Sequence, residues 1–85
     1  MMQRVILIYD IEQDRARSKI ADVCLDYGLD RVQYSAFMGQ LSRNHQQELM
    51  MRIQDLLGES DGLIQLMPIG EQDWSRRLEV CHARS

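Results

Sequence analysis

The sequence predicts a single small α/β domain, with two helices on one side of one sheet, and two observations carry that prediction. A short apolar run, Val5-Ile6-Leu7-Ile8-Tyr9, stops abruptly at Asp10, the mark of a strand buried on both faces. Apolar residues recur afterwards at helical spacing in two separate stretches, with extended segments between them. Eighty-five residues make one domain, spanning 1–85, and a core this thin is commonly completed by oligomerisation.

After the first strand, Asp14 is placed to cap a helix from about Arg15 to Tyr27, with Ala16, Ile20, Val23, Cys24 and Tyr27 inward and Gly28 as its stop. Residues Arg31 to Leu41 read as one strand, Val32, Tyr34, Ala36 and Met38 alternating against Gln33, Ser35 and Phe37, with a bend possible at Gly39. Asn44 and Gln47 have capping-box spacing for a second helix, whose inner face is Leu49, Met50, Ile53, Leu56 and Leu57, and Gly58 ends it. The Asp61-Gly62 turn leads into a strand Leu63–Met67, closed by Pro68 and Gly70. A polar stretch, Glu71–Ser75, precedes a short extended piece, Leu78–Val80.

The order is thus β-α-β-(β)-α-β plus a tail strand, and right-handed crossovers put both helices on the same side. The first strand has two apolar faces, but the helices cover only one of them. A second copy, sheet against sheet, is the simplest cover for the other, so a homodimer is expected.

Composition narrows the setting. Hydrophobic residues make up 45 % and charged ones 27 %, which is globular and not disordered. No apolar run approaches a membrane span of roughly 20 residues, and the start lacks a signal-peptide layout; two cysteines make no disulfide framework. A cytoplasmic protein with no membrane partner is expected. The net charge of −3 argues against coating nucleic acid by bulk charge, although nine of the ten basic residues are Arg, which favours bidentate phosphate contacts.

Candidate chemistry gathers near the end of the first strand. Asp10 stands at its C-terminal end, where α/β sheets expose functional groups, with Glu12 and Asp14 just beyond. A carboxylate there suits a hard cation such as Mg²⁺, which keeps waters and open positions. An aspartate that merely ends a strand and starts a turn has the same appearance. Arg15 and Arg17, in the first turn of a helix, oppose its dipole unless an anion binds, and Lys19 continues the strip. A solvated face neutralised by Glu12 and Asp14 accounts for them equally. Arg76 and Arg77 offer a further phosphate contact, and Trp74 either anchors the tail or sits at an interface. His45 and His82 are isolated, and Cys81-His82 has no second pair, so no zinc site is expected.

Three pieces, Ile8-Tyr9-Asp10-Ile11, Tyr27-Gly28-Leu29 followed by Arg31-Val32-Gln33-Tyr34-Ser35-Ala36-Phe37, and the closing strand with Asp61, resemble the CRISPR-associated protein two family of small adaptation-stage proteins. The resemblance runs from about Arg4 to Val80, and Gln-Tyr-Ser-x-Phe is its most specific part. It implies an α+β, ferredoxin-like βαββαβ sandwich in which Arg31–Leu41 is two strands with a tight turn, plus an additional C-terminal strand at about 76–82 that packs on the partner of a sheet-to-sheet dimer. It implies a metal-dependent endonuclease acting on RNA or double-stranded DNA with Mg²⁺ or Mn²⁺, and a partner of the CRISPR integrase in spacer acquisition.

By position, the resemblance implies that Asp10 is the metal ligand and catalytic residue beside Tyr9. It also implies functional roles for Arg17, Lys19, Arg31 and Phe37, with Ser35 in the same stretch. Lys19 and Met38 depart from the pattern: lysine lacks the bidentate fork, and an acidic residue is frequent where Met38 stands. Two Asp10 carboxylates meeting at the dimer axis would repel unless a divalent cation lay between them. Two other readings stand beside the nuclease. One is a non-catalytic DNA-binding scaffold of the integration complex; the other is a ferredoxin-like regulatory module binding a small ligand between protomers.

Overall fold

A computed structural model describes residues 1–82. Seven elements follow in order: β1 (Met2–Ile11), α1 (Asp14–Asp26), β2 (Asp30–Gln33), β3 (Ala36–Ser42), α2 (Arg43–Leu57), β4 (Gly62–Ile69) and α3 (Glu71–Ser75). The four strands form one sheet in the order β2-β3-β1-β4, every pair antiparallel. This is the split βαβ arrangement of an α+β, ferredoxin-like fold, as expected. Among the described residues, no helix is long and apolar enough to cross a membrane.

Side chains alternate along β1, and the alternation organises the molecule. Val5, Leu7, Tyr9 and Ile11 are buried beneath the helices, together with Ile20, Val23 and Cys24 of α1, Phe37 and Leu41 of β3, and Leu49 and Ile53 of α2. Ile6, Ile8 and Asp10 face the other way. The register sets Ile6 between Met38 and Met67, and Ile8 between Ala36 and Gln65. Ile8 and Met67 are exposed on that face, so a single chain covers only one of the two apolar faces of β1.

Several local expectations shift. The N-cap of α1 is Gln13, not Asp14: Gln13 Oε1 accepts the Ala16 N–H at 2.6 Å, which frees Asp14 to pair with Arg17. Its end is as expected, with Gly28 at φ 84°, a left-handed conformation that glycine adopts without a Cβ penalty. Ser42 caps α2, accepting the His45 N–H at 3.1 Å, so the Asn44–Gln47 capping box does not form. One buried polar residue on α2, Gln46, is satisfied by donating to Leu41 O at 3.2 Å and to Gln3 Oε1 at 3.0 Å.

Residues 31–41 are two strands joined by a turn at Tyr34-Ser35, and the single alternating strand is corrected. The reversal swaps the faces: Phe37 is fully buried, while Val32 and Tyr34 are exposed. β4 runs past its expected end through Pro68, which an edge strand tolerates because no ladder bond needs its missing N–H. The polar stretch 71–75 is the short helix α3. Within one chain, residues 77–82 carry no regular secondary structure and form no additional strand; Leu78 and Val80 are almost fully exposed. Trp74 anchors this end, its ring lying 4.1 Å from the Arg4 guanidinium and 3.8 Å from that of Arg77.

Candidate nucleic-acid site at the end of the first strand

β1 delivers Tyr9 and Asp10 to opposite faces of the sheet. Asp10 is exposed on the open face, opposite Leu63 of β4. Two depressions meet at it. One, of about 190 Å³, is lined by Asp10, Glu12, Asp61, Gly62 and Leu63. The other, of about 420 Å³, is lined by Tyr9, Asp10, Ile11, Glu12, Arg17, Tyr34 and Ser35. Asp10 thus separates an acidic hollow from one edged by an arginine and an aromatic ring.

Tyr9 points inward and is 6 % exposed. Its hydroxyl donates to Tyr34 O at 3.3 Å and accepts from Arg31 Nη2 at 3.3 Å, while its backbone N–H donates to Ser35 O at 3.1 Å. These bonds fasten the β2–β3 turn to the end of β1. Arg17 folds back from α1: Nη1 donates to Ile11 O at 3.0 Å and to Glu12 O at 3.3 Å, and Nη2 pairs with Asp14. The Asp14 hydrogen bond holds this guanidinium above its ordinary pKa. The three contacts fix the guanidinium at the end of β1.

The fold brings Tyr9, Asp10, Arg17, Tyr34 and Ser35 around one depression, and Arg31, which lines neither depression, reaches them through the Tyr9 hydroxyl and the Tyr34 ring. Phe37 supports them from the core, 5.1 Å beneath the Arg31 guanidinium and 6.1 Å from the Tyr9 ring. Arg15 and Lys19 are exposed on α1 and line neither depression. Arg76 and Arg77 belong to the opposite end, since β4 pairs Ile69 with Arg4 and Leu63 with Asp10, roughly 20 Å of strand apart. They pair locally, Arg76 with Asp73 at 2.7 Å and Arg77 with Glu79 at 3.0 Å. Sequence reading gave Tyr34 no role of its own, because it stood as one position of an alternating strand; an aromatic residue in the tight turn that the family resemblance implied was the available signal.

Among the described residues, no group of three or more His, Cys, Asp or Glu side chains converges as a metal site. The donor set of one chain here is Asp10, with Glu12 and Asp61 lining the same hollow. That fits a hard cation that takes one or two carboxylates and fills its remaining positions with water. It does not fit a closed structural site.

The family model for CRISPR associated protein Cas2 matches residues 2–77. The chain belongs to the Cas2 family. It is 49 % identical over 72 residues to a CRISPR-associated endoribonuclease Cas2 of Chloroflexus aurantiacus, covering 85 % of each chain. The crystal structure of Streptococcus pyogenes Cas2 superposes with a TM-score of 0.75 at 26 % identity, covering 96 % of this chain and all of that one. A Cas1/Cas2 endonuclease fusion of Thermoproteus tenax is 43 % identical over 49 residues, 58 % of this chain and 19 % of the fusion. The Cas2 fold accounts for the split of residues 31–41 into β2 and β3 that periodicity alone did not reveal.

Proposed function

We propose that this Cas2-family chain is a metal-dependent endonuclease of the adaptation stage of CRISPR defence, working as a sheet-to-sheet homodimer. The observation that carries the reading is Asp10: an exposed carboxylate at the end of β1, on the same uncovered apolar face as Ile6, Ile8, Met38 and Met67. Pairing two such faces buries the apolar residues and supplies a second Asp10, the one or two carboxylates that Mg²⁺ or Mn²⁺ takes. When bound there, such a cation supplies the Lewis acid that polarises the scissile phosphate and acidifies an attacking water. The chain's own residues do the rest. Asp10 holds the cation, and Arg17 and Arg31, pinned by their hydrogen bonds, orient the phosphate of RNA or DNA. Tyr9 positions rather than reacts, since its hydroxyl is engaged on both sides. The exposed tail, with Leu78 and Val80 alternating against Arg77 and Glu79, suits a strand added to the free edge of β4 in the partner.

The test is cleavage of labelled RNA and duplex DNA with and without Mg²⁺. Chelation, and Asp10→Asn at unchanged dimer mass, are expected to reduce cleavage to the level of a protein-free control. Asp10→Asn cutting as well as the wild type would sink the assignment.

A second reading is favoured by the relative named as a Cas1/Cas2 fusion: a scaffold that binds DNA through exposed Arg15, Lys19, Arg76 and Arg77 and docks the CRISPR integrase. Under it, Asp10→Asn leaves spacer integration intact, whereas Arg76→Gln with Arg77→Gln impairs it. DNA affinity should also fall steeply with salt.

A further inference from the structure

Tyr34 lies in the turn between β2 and β3 with 68 % of its surface exposed. Its backbone is nevertheless fixed, because Tyr34 O accepts from the buried Tyr9 hydroxyl at 3.3 Å and the adjacent Ser35 O accepts from Tyr9 N–H at 3.1 Å. A pinned backbone carrying an exposed ring is preorganised for contact, and loses little order when something binds. The Arg17 and Arg31 guanidinium carbons lie 5.6 and 5.8 Å from the ring centroid, farther than the 3.8 Å at which Arg77 covers Trp74. Both stand over the ring within cation–π range, so two positive charges are held against it while most of its surface stays exposed. The depression of about 420 Å³ that Tyr34 lines runs directly to Asp10.

An exposed aromatic ring beside phosphate-binding charge suits a nucleotide, with its base on the ring and its phosphate on the guanidinium groups. We infer that Tyr34 is a nucleobase-stacking residue that selects, at this site, a strand offering an unpaired base next to the phosphate held near Asp10. The inference rests on the nucleic-acid reading above and adds to it a residue that recognises the base. A base inside a duplex reaches the ring only after unstacking, at a cost of a few kcal/mol, so the stack distinguishes an unpaired base from a paired one.

The experiment measures fluorescence anisotropy of a labelled single-stranded RNA, of the same strand carrying abasic residues, and of a blunt duplex. All are measured at one salt concentration without divalent metal, so that cleavage does not intervene. For Tyr34→Ala, binding to the base-bearing single strand is expected to weaken by roughly 5- to 150-fold, the range of one base–aromatic stack. Binding to the abasic strand and to the duplex should change little, and Tyr34→Phe should retain wild-type affinity because it keeps the ring. Equal losses on base-bearing and abasic strands, or no loss at all, would overturn the stacking role. If Asp10-dependent cleavage persists while Tyr34→Ala binds like the wild type, the stacking role fails and the nuclease reading stands. A wild-type protein that neither binds nor cuts any of the strands would overturn both.

Discussion

Adjacent residues on a strand face opposite ways, and that alternation separates the roles of Tyr9 and Asp10. The tyrosine is spent on holding the β2–β3 turn, whereas the carboxylate is left free on the open face. Arg17 shows the same economy: its backbone acceptors, Ile11 and Glu12, lie immediately after Asp10, so the guanidinium is tied to the strand end it serves. Cys24 is the opposite case, a group withdrawn from chemistry. Burial pushes its thiol up to about 11, with the charge of Arg31 opposing that shift. The folded state therefore favours the protonated thiol. This contribution to stability is complete below the ordinary value of 9.0 and is lost as pH rises toward about 11. Urea midpoints measured at about pH 8 and about pH 10 should fall more for the wild type than for Cys24→Ala. In the native protein at the lower pH, a thiol reagent should label exposed Cys81 promptly and reach Cys24 only on unfolding.

At the scale of elements, the hydrophobic patterns of α1 and α2 were legible because packing against one sheet needs a periodic apolar stripe. Their first residues were less so. Gln13 and Ser42 cap where Asp14 and Asn44 were expected, because several polar residues near each helix start are competent and the direction of the incoming chain selects among them. Gly39 was expected to permit a bend; in the sheet it permits close approach. A Cβ at this position would lie 2.7 Å from Leu29 Cδ2 and 3.3 Å from Leu29 Cα, and Leu29 is buried. Gly39→Ala should therefore lower stability by about 1–3 kcal/mol, read as a fall in the urea midpoint at unchanged slope. An unchanged midpoint would mean that the segment after Gly28 yields at no cost.

For the whole molecule, the decisive feature is the uncovered face of the sheet. Ile6, Ile8, Met38 and Met67 form an apolar centre there. Each is already more than half buried in one chain, so pairing two faces gains only the remaining part of the roughly 1.5–3 kcal/mol that full burial of such a side chain is worth. The proposed dimer uses that gain. Ile8→Arg places an unpaired charge at the centre of the face while leaving the helix side intact. Sedimentation equilibrium should then report the chain mass of 10.0 kDa, against twice that for the wild type. Circular dichroism should show that the helices persist. A variant that remains dimeric would place the interface elsewhere.

The sequence by itself determined the strand at Val5–Tyr9, its end at Asp10, both long helices and the βαβ order, because periodic burial and glycine stops are written residue by residue. The Gln33–Phe37 stretch also carried the family resemblance, and with it the split into two strands. Only the tertiary structure decided which side of that hairpin is buried, placing Phe37 in the core and Tyr34 at the surface, because a tight turn reverses the pattern of faces that a continuous strand would keep. It also separated Arg76 and Arg77 from Asp10 and placed Arg17 and Tyr34 in a depression that Asp10 lines. Such proximity depends on antiparallel register, which pairs residues distant in the chain and leaves no local signal in the sequence.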